Sequence, residues 1–172
     1  MIEIYTDGAT SKNGSENAVG GFAYIILNNN EVVYQEAWAV APATNNQCEL
    51  WAIIKGCQYV EKNFSSSKVT IYSDSAYCIN CYKQKWYKNW IKNGWINSKK
   101  QPVKNKDLWE LLIPYFENDF FKFEKVKGHS GNLYNEMVDE LAVKARLSKE
   151  LNENSLYQWC PDGGQRFILS VL

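Results

Sequence analysis

Histidine is almost absent from this chain: His129 is the only one in 172 residues. With one histidine, no Ser-His or Cys-His nucleophile arrangement is evident. No apolar run approaches the roughly 20 residues that span a bilayer. The N-terminus enters a short alternating segment directly, without a signal-peptide pattern. Cysteine is present in an odd number, as Cys48, Cys57, Cys78, Cys81 and Cys160, which does not suit a disulfide framework. A reducing cytoplasm is the expected compartment. Cys78 and Cys81 form the sole C-x-x-C pair. No second pair supplies the four ligands that zinc requires, so both are read as helix cysteines. Net charge is absent as well, with 19 basic and 19 acidic side chains.

What is present fits one globular domain. Hydrophobic residues make up 45% and aromatics 15%, enough to build a core. The zero net charge hides a segregation. Residues 83–106 carry Lys83, Lys85, Lys88, Lys92, Lys99, Lys100, Lys104 and Lys106 and no acid. Such a basic face can bind a polyanion on an otherwise neutral protein.

Residues 2–5 alternate around Glu3 and predict a strand ending at Asp7-Gly8, followed by a small, polar loop over 9–18. Residues 19–27 and 31–40 predict two strands joined by the turn Asn28-Asn29-Asn30, a hairpin. Thr44 or Asn45 caps a helix with the apolar stripe Leu50, Ile53, Ile54, Cys57 and Val60. Val69, Ile71 and Tyr72 make a fourth strand ending at Asp74. Residues 76–92 predict one helix dense in Lys and Trp, stopped by Asn93-Gly94, and residues 95–103 a loop. Residues 104–115 predict another helix, 120–126 a fifth strand, 128–131 a loop and 133–147 a last helix with Val138, Leu141, Ala142 and Ala145 as its stripe. No internal repeat is found. The order β-β-β-α-β-α-α-β-α predicts an α/β fold, a mixed sheet with helices on both faces. Crossovers make strands one, four and five parallel, so their C-terminal ends lie side by side, where α/β sheets place their sites.

Four acids belong to that edge. Asp7 and Asp74 each follow a strand. Glu49 and Asp139 border the apolar stripes of the first and last helices and so face the sheet. Singly, each reads equally as a turn or edge acid. Together they would repel one another and lose hydration, and a divalent cation removes both penalties. All-oxygen ligands suit Mg²⁺ or Mn²⁺ rather than zinc. Two such ions about 4 Å apart activate water and stabilise the leaving oxygen in phosphodiester cleavage.

Six stretches carry a family resemblance. They are Thr6-Asp7-Gly8; Thr44-Asn45-Asn46 running to Glu49-Leu50; Ser73-Asp74-Ser75; Pro102-Val103-Lys104-Asn105 running to Asp107-Leu108-Trp109; Val126-Lys127-Gly128-His129-Ser130-Gly131; and Asn135-Glu136 running to Asp139-Glu140-Leu141-Ala142. In this order they are similar to type 1 ribonuclease H, over residues 1 to about 146. The resemblance implies the ribonuclease H fold, a five-stranded mixed sheet flanked by helices, in a catalytic domain of residues 1–147. It implies an endoribonuclease that cuts the RNA strand of RNA–DNA hybrids, leaving 5′-phosphate and 3′-hydroxyl ends. Asp7, Glu49, Asp74 and Asp139 would bind two Mg²⁺ ions, with Mn²⁺ able to substitute. His129 matches a loop histidine that aids proton transfer or product release, and Glu136 an acid near the metals. Gly8, Asn13, Asn45 and Asn46 would read the hybrid's minor groove, where the 2′-hydroxyl distinguishes RNA from DNA. Thr44 and Asn105 belong to a phosphate-binding pocket. Segment 83–106 resembles the family's basic protrusion. There Trp86 and Trp95 would line the DNA-strand channel, Lys85, Lys88 and Lys92 would contact phosphates, and Trp90 is read equally as core.

There are departures. Pro42 stands where the family often has an arginine, so the phosphate pocket loses a cation. No N-terminal hybrid-binding domain precedes Asp7. Residues 148–172 extend beyond the resemblance, and their apolar end, residues 166–172, is expected to pack on the domain as a strand, the other reading being a docking peptide. Transposases, integrases and junction resolvases share the fold and acid cluster; Asn13, Asn45, Asn46 and the protrusion favour the hybrid nuclease. A non-catalytic binding module is disfavoured by the presence of all four acids. Met1 and the compact length favour a free-standing protein over a reverse-transcriptase fragment, and a monomer is expected.

Overall fold

The computed structural model describes residues 1–11, 18–127, 131–151, 157–159 and 165–170, with side chains through residue 147. Strands β1 (Ile2–Ser11), β2 (Val19–Asn28) and β3 (Glu31–Ala41) form an antiparallel meander. Asn29 and Asn30 make the tight turn between β2 and β3 with positive φ, 50° and 69°, a conformation asparagine tolerates and hairpin turns require. Helix α1 (Asn45–Asn63) leads to β4 (Val69–Ser73), and helices α2 (Ala76–Gln84), α3 (Trp86–Asn93) and α4 (Lys106–Phe116) lead to β5 (Phe121–Lys125). Strand β4 runs parallel to β1 and to β5, as the helical crossovers demand. Helix α5 (Leu133–Leu151) closes the matched region. The strand order β5-β4-β1-β2-β3 is the expected five-stranded mixed sheet. Two further short strands, β6 (Tyr157–Trp159) and β7 (Gln165–Ser170), extend it beyond β3, β7 pairing antiparallel with Trp38–Ala41.

The sheet separates two cores. On one face Ile2, Ile4, Phe22, Tyr24 and Ile26 pack against Leu50, Ile53, Ile54 and Cys57 of α1 and against Leu108, Trp109 and Leu112 of α4. On the other, Tyr5, Ala23, Ile25 and Leu27 meet Val138, Ala142 and Ala145 of α5. Both helix stripes are those that the 3.6-residue spacing predicted. Two glycines allow the close approach. A Cβ on Gly8 would lie 2.7 Å from the α1 backbone at Cys48 and Glu49, and one on Gly21 would lie 2.1 Å from Ala142 O of α5. Any side chain at either position pushes a helix off the sheet.

Three expectations need correction. Strand β1 does not end at Asp7-Gly8 but continues through Ser11, because β2 pairs with it to Val19. Residues 76–92 are two helices. Lys85 adopts φ 56° between them, which redirects the chain so that α3 buries Tyr87 and rests Trp90 on Trp109, with ring centroids 5.6 Å apart. Helix α4 begins at Lys106, two residues late, because Asn105 takes the left-handed conformation at its N-cap. The stop at Asn93-Gly94 is as expected, with Gly94 at φ 80°.

Candidate active site

Sheet register brings the first acids together. The parallel pairing of β1 with β4 ends at Thr6 and Ser73, so Asp7 and Asp74 are the next residue on each of two neighbouring strands. Ser75 caps α2 by accepting from Cys78 N at 3.2 Å, which turns the chain away immediately after Asp74. Glu49 arrives from α1, whose first turn is fixed by a reciprocal cap: Thr44 Oγ1 accepts from Gln47 N at 3.2 Å and Thr44 N donates to Gln47 Oε1 at 2.9 Å. Gly8 lets that turn reach β1. Carboxylate oxygens of Asp7, Glu49 and Asp74 all lie within 4.8 Å of one another. Asp139, from α5, completes the group beside Asp7.

Asp7 and Glu49 are each only 4% exposed. Burial pushes Asp7 up to about 8, helped by the hydrogen bond with Asp139 and the charge of Asp74. Burial also holds Glu49 well above the ordinary carboxylate range, followed by the charges of Asp7 and Asp74. Asp74 is raised by burial and then by Asp139. The Gly8 N–H donates to Asp7 Oδ1 at 2.9 Å. Glu49 Oε2 is buried with no hydrogen-bond partner, a costly state for a carboxylate oxygen. An oxygen-only donor set with an orphaned, buried lone pair fits a hard divalent cation. Among the described residues this is the one cluster of three His, Cys, Asp or Glu side chains able to hold a metal. Cys78 and Cys81 are instead buried in the core, as the helix-cysteine reading required.

A cavity of about 420 Å³ opens over the acids, lined also by Gly8, Asn45, Asn46, Ser75, Ala76 and Tyr77. Thr44 is exposed beside it, and Asn105 reaches Thr44 through Gln47, whose Nε2 donates to Asn105 Oδ1 at 3.3 Å. Glu136 is exposed in the first turn of α5 and does not line the cavity. Asn13 and His129 lie outside the described residues. In the protrusion, Trp86, Trp90 and Trp95 form a chain of ring contacts at 6.4 and 5.9 Å, and Trp90 anchors it to the core. Lys85, Lys88 and Lys92 are exposed and make no ion pair among the described residues. Sequence reading missed Gln47, Ser75 and Tyr77. The Thr44-x-x-Gln47 capping-box pattern was the available signal for the first.

The RNase H family model matches residues 1–146. A ribonuclease H of Clostridium botulinum is 44% identical over 144 residues, 84% of this chain and 94% of the relative. One from a Thermoanaerobacter species is 40% identical over 157 residues, 90% of this chain and 94% of the relative. Among solved structures, LC9-RNase H1, a type 1 ribonuclease H, superposes with a TM-score of 0.67 at 22% identity, over 86% of this chain and 72% of that one. LC11-RNase H1, solved in complex with an RNA/DNA hybrid, gives 0.61 at 16% identity, over 88% and 100%. The structural likenesses show the fold, and no helix among the described residues is long and apolar enough to cross a membrane. The sequence matches carry the activity further: this chain belongs to the ribonuclease H family and is a nuclease of that family.

Proposed function

We propose that the chain is an endonuclease that hydrolyses the RNA strand of RNA–DNA hybrids with two divalent cations, Mg²⁺ or in its place Mn²⁺. The observation that carries the reading is the orphaned Oε2 of Glu49 in a cluster with Asp7 and Asp74. Asp7, Glu49, Asp74 and Asp139 hold the metal. When bound, Mg²⁺ supplies an activated water and charge stabilisation at the leaving oxygen. The chain's own residues do the rest. Water attacks phosphorus in line, the P–O3′ bond breaks, and a proton reaches the departing 3′ oxygen, leaving 5′-phosphate and 3′-hydroxyl ends. His129 assists that proton transfer or product release, and Glu136 supports the acids from α5.

Substrate recognition follows the cavity's surroundings. Asn45 and Asn46 at its wall, with Gly8 and Asn13, read 2′-hydroxyls and base edges in the minor groove. Thr44 and Asn105 hold a DNA-strand phosphate. Trp86 and Trp95 pack on deoxyribose, and Lys85, Lys88 and Lys92 neutralise phosphates without sequence preference. The protein works as a cytoplasmic monomer, with residues 1–147 as the catalytic domain and 148–172 packed upon it. End-group analysis tests the chemistry: cleavage of a labelled hybrid in Mg²⁺ should give 5′-phosphates and ligatable 3′-hydroxyls. A 2′,3′-cyclic phosphate would mean that the 2′-hydroxyl, not water, is the nucleophile.

A further inference from the structure

Gln47 touches both halves of the phosphate pocket proposed above, and this inference rests on that reading. Its backbone N–H donates to Thr44 Oγ1 at 3.2 Å, and its Nε2 donates to Asn105 Oδ1 at 3.3 Å. Its Oε1 is engaged by Thr44 N at 2.9 Å. A backbone N–H only donates, so the Gln47 amide has one allowed orientation, oxygen toward Thr44 and nitrogen toward Asn105. That in turn fixes Asn105, whose Nδ2 faces Tyr77 Oη at 3.4 Å. At the far end Trp109 Nε1, also a pure donor, reaches the same Tyr77 oxygen at 3.1 Å. Gln47 therefore sets the Asn105 amide, while the Tyr77 hydroxyl, able to accept and to donate, serves whichever way Asn105 faces.

We infer that Gln47 is a positioning residue that makes the Thr44–Asn105 pocket anion-selective by occupying the acceptor oxygen of each. Each oxygen then has an acceptor site taken, and Thr44 keeps its hydroxyl hydrogen and Asn105 an amide hydrogen, two donors for an incoming phosphate. The arrangement takes over part of the work of the cation missing at Pro42. Donor polarity set by a fixed hydrogen-bond network distinguishes an anion from a neutral group by geometry, which exposed lysines do not.

The test is steady-state cleavage of an RNA–DNA hybrid in Mg²⁺ by Gln47→Glu, Gln47→Met, Thr44→Val, Asn105→Ala and the Gln47→Met/Asn105→Ala double variant. Gln47→Glu keeps the helix cap, since Ser/Thr-x-x-Glu caps as well as Ser/Thr-x-x-Gln, but it accepts where Gln47 donates, and so turns Asn105 around. Its KM should rise about tenfold with kcat within about twofold, the pattern of weakened remote binding. Gln47→Met should raise KM about threefold, and most of that rise should vanish in the Asn105→Ala background, where the Gln47–Asn105 hydrogen bond is already gone and only the cap on Thr44 N remains to be lost. A wild-type KM for Gln47→Glu, or a full Gln47→Met effect on top of Asn105→Ala, would overturn the inference. If Thr44→Val and Asn105→Ala both left KM unchanged, the pocket reading beneath it would fall as well.

Discussion

At Asp7, stability and activity pull in opposite directions. Without metal its carboxyl is buried against Asp139 and Asp74 and stands at about 8. Unfolding returns it to about 4. A folded pKa raised above the unfolded one costs stability that is absent below pH 4, accumulates from about 4 to 8 and is complete above 8. Asp7→Asn should therefore melt several degrees above the parent protein in EDTA at pH 8.5, with the gap shrinking as pH falls towards 5. Each kcal/mol relieved moves Tm by about 2–4 °C at this chain length. Thermal melting over that pH range checks it; a variant melting below the parent throughout would make Asp7 a structural acid held by hydrogen bonds. Mg²⁺ should raise the parent's Tm more than the variant's, since a ligand is missing. His129 sits on the other side of the division of labour. His129→Ala should lose on the order of 10²-fold in kcat, as for a proton-transfer helper, against several orders of magnitude for Asp74→Asn. Single-turnover rates for the two variants decide it, and equal losses would refute the helper role.

Among the elements, the α2–α3 protrusion is where charge and structure separate most cleanly. Its fold depends on Tyr87 and Trp90, which pack inward, while Lys85, Lys88 and Lys92 stand in solvent. Replacing those three lysines by Ala should leave Tm nearly unchanged. It should raise KM more than it lowers kcat, and reduce the slope of log affinity against log salt by up to about 0.9 for each phosphate no longer neutralised. An unaltered salt slope would place the hybrid elsewhere. Elements with a regular apolar period were legible in the sequence: the α1 and α5 stripes and the β2–β3 hairpin follow directly from it. The Lys85 break was not, because a left-handed lysine has no local sequence signal and is forced by where Tyr87 and Trp90 find the core. The run of β1 through Ser11 escaped too, since Ala9, Thr10 and Ser11 lack apolar alternation and are held by pairing with β2. The acids were readable because each abuts an apolar pattern whose direction is known. Of Gln47 only the cap on Thr44 was readable, because its second partner, Asn105, lies 58 residues away.

Over the whole molecule, the family match ends at residue 146, within helix α5, which runs on to Leu151. Strand β7 gives β3 an outer neighbour along Trp38–Ala41, just before the Thr44 cap. Removing residues 152–172 should leave a folded, active domain with a Tm lowered by a few degrees and with kcat within about twofold. Calorimetry and cleavage on the truncated chain check this, and a truncated chain that does not fold would put the extension inside the domain. Four of the 19 acidic side chains gather at one sheet edge and eight of the 19 basic ones lie in residues 83–106, so zero net charge coexists with a local excess of each sign. The most direct test of that arrangement is cleavage of one labelled RNA strand, presented in turn as an RNA–DNA hybrid, as an RNA duplex and as a single strand, beside a DNA duplex of the same sequence, with Mg²⁺ and with EDTA. Cutting of the RNA in the hybrid alone, abolished by EDTA, is the predicted result. Cutting that survives EDTA, or equal cutting of the DNA duplex, would contradict the account.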